Sequence, residues 1–167
     1  MSAIRKIGKY EVVGELGKGA MGIVYKGYDP AIQRHVALKV IRKADLDPTD
    51  SEAVLERFKR EAQAVGKLHH PNIVAIYDYG EDEEFAFIAM ELVSGRALRE
   101  HIRSGYRPEF KEFPEILIHL LEGLEYSHMQ GVVHRDIKPA NVLISDMGVA
   151  KISDFGIARI EIGRAHV

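Results

Sequence analysis

The spacing of apolar residues changes once along this chain, and that change decides what it can fold into. Up to Leu92 the apolar runs are mostly short and rich in β-branched and aromatic residues; beyond Gly95 they recur at helical spacing. Tyr10 to Leu16, Ile23 to Tyr28, Arg34 to Arg42, Ile73 to Tyr79 and Phe85 to Leu92 read as five strands. One helical pattern interrupts them. It runs from a Thr49-x-x-Glu52 capping box to about Leu68, with Val54, Phe58, Ala62 and Val65 on one face and His70-Pro71-Asn72 as its stop. Ala97 to Arg103 and Pro114 to Gln130 then read as helices. The second puts Leu117, Leu120, Leu121 and Leu124 on one face and ends at Gly131. Strands first and helices later predict an α+β chain: a β-rich lobe over 1–93, a boundary near Val93 to Gly95, and a helical lobe from 94.

Composition excludes several classes of function. With 167 residues the chain can bury one sizeable core or two small lobes, and 46% hydrophobic with 29% charged residues is ordinary for a globular protein. A net charge of -2 gives no reason to expect nucleic acid or an anionic membrane as partner. The absence of cysteine rules out disulfides and thiolate metal sites and fits a reducing compartment. The longest apolar run, Phe85 to Met90, is far short of the roughly 20 residues of a membrane span. Met1 to Gly8 is polar and basic, unlike a secretory signal. The expectation is a soluble, cytoplasmic domain with no membrane contact from this segment.

Gly17-Lys18-Gly19-Ala20-Met21-Gly22 fits a G-x-G-x-x-G pattern. A dinucleotide-binding turn would have to open a helix, and Ile23, Val24 and Tyr25 favour a strand instead. Two readings stay open: a plain hairpin turn, or a flap whose glycines admit positive φ and bring backbone N–H groups close to phosphate oxygens.

Lys39 lies in Val36-Ala37-Leu38-Lys39-Val40, a run apolar enough for a central strand. A solvated lysine on an edge strand is its commoner fate. Glu61, however, falls between Phe58 and Val65 on the apolar helix face, where a carboxylate needs a cation unless it snorkels to water. Lys39 is a candidate for that cation, and so held it could bind phosphate.

Further on, His134-Arg135-Asp136-Ile137-Lys138-Pro139-Ala140-Asn141 is a polar cluster between Val132-Val133 and Val142-Leu143, with Pro139 forbidding a regular helix. It can be a surface turn. It also holds, within six positions, what phosphoryl transfer requires: Asp136 to orient a hydroxyl and accept its proton, Lys138 as cation, and Asn141 as an oxygen ligand for Mg2+. Asp154-Phe155-Gly156 adds a second hard oxygen ligand, an apolar plug and a hinge.

Taken in order, these pieces resemble the protein kinase family, over Tyr10 to about Ile160. The resemblance is to its two-lobed fold, with a five-stranded sheet and one helix in the first lobe and only part of the helical lobe present. It implies a serine/threonine kinase of the bacterial, eukaryotic-like type that moves the γ-phosphoryl of ATP to protein hydroxyls, with Mg2+ (or Mn2+ in its place) as metal. Leu16, Gly17, Lys18, Gly19, Ala20, Met21, Gly22, Ile23 and Val24 would form the phosphate-covering flap, and Lys39 with Glu61 the nucleotide-orienting pair. Met90 would be the gatekeeper, and the backbone of Glu91 and Val93 would meet adenine. Val24, Ala37 and Leu143 would sandwich the purine, while Val65, Ile76, His134 and Phe155 would stack as a spine. Asp136, Lys138 and Asn141 would be catalytic, with Asn141 and Asp154 on metal. Arg135 implies control through phosphorylation of an activation loop.

After Arg159-Ile160 the resemblance stops. Glu161 to Val167 is expected to be a non-native tail, because ATC GGA AGA GCA CAC GTC, the string of a common sequencing adapter, encodes Ile162 to Val167. A chain cut here is expected to lack support for its catalytic loop and to be inactive on its own.

Overall fold

A computed structural model describes residues 5–19, 22–105 and 112–155. Ala20, Met21, Gly156 and the 161–167 segment, all singled out above, lie outside the described residues. Six strands form one antiparallel sheet: β1 (Lys6–Ile7), β2 (Tyr10–Gly19), β3 (Gly22–Asp29), β4 (Arg34–Arg42), β5 (Ile76–Glu81) and β6 (Phe85–Glu91), in the order β1-β2-β3-β4-β6-β5. Five correspond to the expected runs. The sixth, β1, is too short to carry an alternating pattern and exists because Ile7 pairs with Tyr10 across the positive-φ turn at Gly8.

Alternation divides the sheet's two faces between two tasks. Val36, Leu38 and Val40 of β4 join Ile7, Tyr10, Phe85, Phe87 and Ala89 in a core on one side. The sheet curls so far that its distant strands meet: the Tyr10 hydroxyl donates to Asp78 of β5 at 3.2 Å, and the Lys9 ammonium bridges Asp29 and Asp78 at 3.3 and 3.4 Å. The opposite face carries Ala37, Lys39 and Ile41. Ile41, Ala86 and Ile88 pack there against Phe58 and Ala62 of helix α1 (Ser51–Val65).

Helix α1 differs from expectation at both ends. The Thr49 hydroxyl bonds Asp47 at 2.7 Å instead of reaching into the helix, so the expected capping box does not form and the helix starts after Asp50. It ends at Val65, not near Leu68, because Gly66 closes it on Ala62 and Leu68 turns inward, fully buried beside Val65, Ile73, Ile152 and Phe155. Residues 66–75 then run as a connector, and Ile73 makes a single parallel bridge to Ile152 before β5 begins at Ile76.

After β6 the chain passes through 92–94 into a three-stranded sheet of β7 (Gly95–Ala97), β8 (Val142–Ser145) and β9 (Ala150–Ile152), with helices α2 (Leu98–Arg103) and α3 (Glu112–Met129) between β7 and β8. The leucines expected on one face of α3 are divided. Leu120 and Leu124 reach the core beneath Phe155, whereas Leu117 and Leu121 are about half exposed, as are Phe113 and Ile118. Gly131 ends this region at φ +74°, a left-handed stop of the kind its position implied. No helix among the described residues is long and apolar enough to cross a membrane.

Candidate active site

Lys39 is held between two carboxylates that the sequence places far apart. Its register partners, Val24 on β3 and Ile88 on β6, share its face of the sheet, so its ammonium points to the space between sheet, helix and the β9 end. There it meets Glu61 of α1 at 3.3 Å and Asp154, just past β9, at 2.9 Å. Burial alone would pull Lys39 down, but the charges of Asp154 and Glu61 hold it above its ordinary value, so the cation is secured. For Glu61 burial is the larger influence and pushes its carboxyl up against the pull of Lys39. Only one Glu61 oxygen is engaged; Oε2 is buried without a hydrogen-bond partner among the described residues.

The polar cluster before β8 is built by a mesh of short bonds. The Asp136 N–H donates to His134 Nδ1 at 3.2 Å, and His134 Nε2 bonds the Ser153 carbonyl at 2.9 Å. A carbonyl only accepts, so His134 is neutral with its proton on Nε2. Its ring lies 4.6 Å from that of Phe155. Asn141 donates to the Asp136 carbonyl at 2.9 Å and to its carboxylate at 3.2 Å, and the Lys138 ammonium is 2.6 Å from the same oxygen. Arg135 and Asp154 both adopt left-handed backbone, at φ +63° and +54°. Each such residue costs on the order of 1 kcal/mol, and the mesh on either side holds it there.

His134 makes this mesh sensitive to acid. Burial is the main reason its pKa lies below 6.5, opposed by the Ser153 carbonyl and nearby carboxylates. The folded state therefore resists the proton that the unfolded chain accepts. Stability is full above pH 6.5 and is lost as pH falls below that value toward the lower folded pKa. Thermal unfolding compared at about pH 7.5 and about pH 5.5 should show a larger drop in midpoint for the parent than for His134→Asn. Equal drops would remove His134 from the account.

Around Lys39 the other expected residues fall into place unevenly. Val24, Ala37 and Met90 lie on its face of the sheet, with Ala37 opposite Met90 in register. A narrow cavity behind Lys39 is lined by Glu61, Met90, Asp154 and Phe155. Leu143 stands in β8 opposite Lys151. Val65, Ile76 and Phe155 pack in one cluster, which the His134 ring joins through Phe155. The glycine segment forms the β2–β3 hairpin, with Gly17 opposite Val24, Lys18 opposite Ile23 and Gly19 opposite Gly22. Gly22 takes a positive φ, 130°, and a Cβ there would run into the Val40 carbonyl oxygen; Gly17 sits in extended strand facing open space. Leu16 is exposed.

Two partners were not legible beforehand. The Ser153 hydroxyl donates to the Asn141 carbonyl at 3.2 Å and its N–H to the same oxygen at 2.9 Å, tying the loop to β9. Lys151 pairs with the side chain of Glu91, a residue considered only for its backbone. Neither has a spacing signal: the first joins the catalytic loop to the strand end that follows it, and the second crosses the lobe boundary.

A family profile described as a protein kinase domain matches residues 10–165. The chain belongs to the protein kinase family. The matched span ends inside the 161–167 segment. Among curated relatives of this kinase chain, a protein named probable serine/threonine-protein kinase from Streptomyces coelicolor is 47% identical over 158 residues, covering 91% of this chain and 23% of the relative. The serine/threonine-protein kinase PrkC of Bacillus subtilis is 40% identical over 151 residues, covering 90% and 23%. A probable serine/threonine-protein kinase PknB of Bifidobacterium longum is 40% identical over 161 residues, covering 91% and 23%. The chain thus spans less than a quarter of the length of these relatives.

Proposed function

We propose that this chain carries the nucleotide site and catalytic loop of a kinase that transfers the γ-phosphoryl of ATP to serine and threonine hydroxyls of proteins. The observation that carries this reading is the convergence of Lys39 with Glu61 and Asp154, the latter 115 residues away, while Ser153 beside Asp154 bonds the Asn141 carbonyl of the Asp136–Lys138–Asn141 mesh. Lys39, steadied by Glu61, orients the phosphates beneath the Leu16 to Val24 flap. Val24, Ala37 and Leu143 enclose the purine, Met90 limits the depth of the pocket, and the peptide groups of Glu91 and Val93 face the base. Asp136 positions the acceptor hydroxyl and takes its proton, and Lys138 supplies positive charge beside it.

The donor set suits magnesium, with manganese as substitute. Asn141 and Asp154 offer hard oxygens only, and no cluster of three acidic or histidine ligands occurs among the described residues. Mg2+ commonly takes just one or two protein oxygens and fills its shell with water and phosphate. Bound there, it would neutralise charge on the phosphate oxygens.

The lobes are assigned as 1–93 and 94–160, with 161–167 as a non-native tail that genomic sequence across codon 161 would test. The half-exposed apolar residues of α3 support the further reading that the 167-residue chain alone is poorly supported and has little activity. The full-length protein, given Mg2+ and labelled ATP, should place label on serine or threonine of a protein substrate, while the isolated 167 residues should place little or none. Label on tyrosine alone, or none from the full-length protein, would refute the assignment.

A further inference from the structure

Glu91 ends β6 just where the chain leaves the β-rich lobe, and its side chain is a meeting point of three segments. Oε1 lies 2.9 Å from the Lys151 ammonium and Oε2 3.1 Å from it. Oε2 also accepts from the Ala75 N–H at 3.3 Å, while the Glu91 N–H donates to the Ala75 carbonyl at 2.8 Å. The two side chains are only 25% and 17% exposed, so the pair is shielded in a way that ordinary surface pairs are not. Lys151 belongs to β9, opposite Leu143 and three residues before Asp154. Its neighbour Ile152 exchanges backbone bonds of 2.8 and 2.9 Å with Asn72 and Val74 of the connector. Residues from both sides of the lobe boundary are therefore fastened around one carboxylate.

We propose that Glu91 and Lys151 are a positioning pair, which holds the 91–93 segment so that its peptide groups meet the nucleotide base at a set distance from Leu143. Neither side chain touches the nucleotide; both act through backbone placement. This rests on reading the cleft as an ATP site. Without the ammonium, a shielded carboxylate is left with one amide, and it gains by rotating toward water. The backbone that it anchors then loses its fixed approach to the base.

The test uses the full-length protein and its Lys151→Met, Lys151→Arg and Glu91→Gln variants, with Mg·ADP binding measured by calorimetry beside steady-state kinetics. In Lys151→Met the Kd for Mg·ADP and the KM for ATP should each rise about fivefold, as for loss of one shielded ion pair, with kcat falling by less than KM rises. Lys151→Arg should recover most of the affinity. Glu91→Gln keeps an acceptor for Ala75 and should match Lys151→Met, and the double variant should be no worse than either. Unchanged Mg·ADP affinity in Lys151→Met, or additive losses in the double variant, would overturn the pair's role. A parent protein that binds no Mg·ADP would overturn the kinase reading itself.

Discussion

Replacing Asp136 by asparagine should lower phosphate incorporation by the full-length protein about 10²- to 10⁴-fold, the range that a positioned proton acceptor contributes. The loop should survive the change, because Asn141 also bonds the Asp136 backbone carbonyl at 2.9 Å and His134 holds its N–H, contacts that do not need the carboxylate. Mg·ADP affinity should stay within about twofold, since the affected step follows binding. What is lost is the oxygen 2.6 Å from Lys138, the group that would hold the acceptor hydroxyl. Equal incorporation by parent and variant would mean that the proton goes elsewhere and that Asp136 is only a loop residue.

Lys39→Met should act on folding as well as on chemistry. The Lys39 side chain is 12% exposed and its ammonium faces Glu61, whose side chain is 6% exposed, so its removal strands a buried carboxylate. Breaking such a pair costs about 3–5 kcal/mol, a large share of a typical domain stability of roughly 5–15 kcal/mol. The Asp154 contact adds little to this, because Asp154 is 44% exposed and water screens it. Adding Glu61→Gln should recover most of the lost stability in urea unfolding, yet leave phosphate transfer abolished. A single Lys39→Met variant as stable as the parent would show that Glu61 reaches water by another route.

The elements best read in advance were those whose pattern is local. The apolar, β-rich run Arg34 to Arg42 reads as a strand and is β4, and the period in α1 gives the side on which Glu61 lies. A carboxylate on a buried helix face needs a cation, and the Lys39–Glu61 ion pair at 3.3 Å meets that need. Other features were legible only in the folded chain. Thr49 has a helix-capping residue type, but a nearer acceptor on Asp47 claims its hydroxyl. Leu117 and Leu121 share a period with Leu120 and Leu124, but period cannot say how wide a stripe the neighbouring elements cover. The dual contact of Lys39 with Asp154, the Ser153–Asn141 bonds and the Glu91–Lys151 pair all join residues with no common spacing.

The curl that brings Tyr10 to Asp78 has a consequence for how the lobe comes into being. That contact spans 68 residues, and β4 finds its second neighbour only in β6, which is made after α1 and β5. As the chain emerges from the ribosome, β2, β3 and β4 can pair with one another at once. Their apolar side must wait for Phe85, Phe87 and Ala89, and the free edge of β4 stays open meanwhile. Such late closure slows folding and leaves sticky surface on the nascent chain, so a chaperone or slow translation past Glu91 would matter most for this lobe.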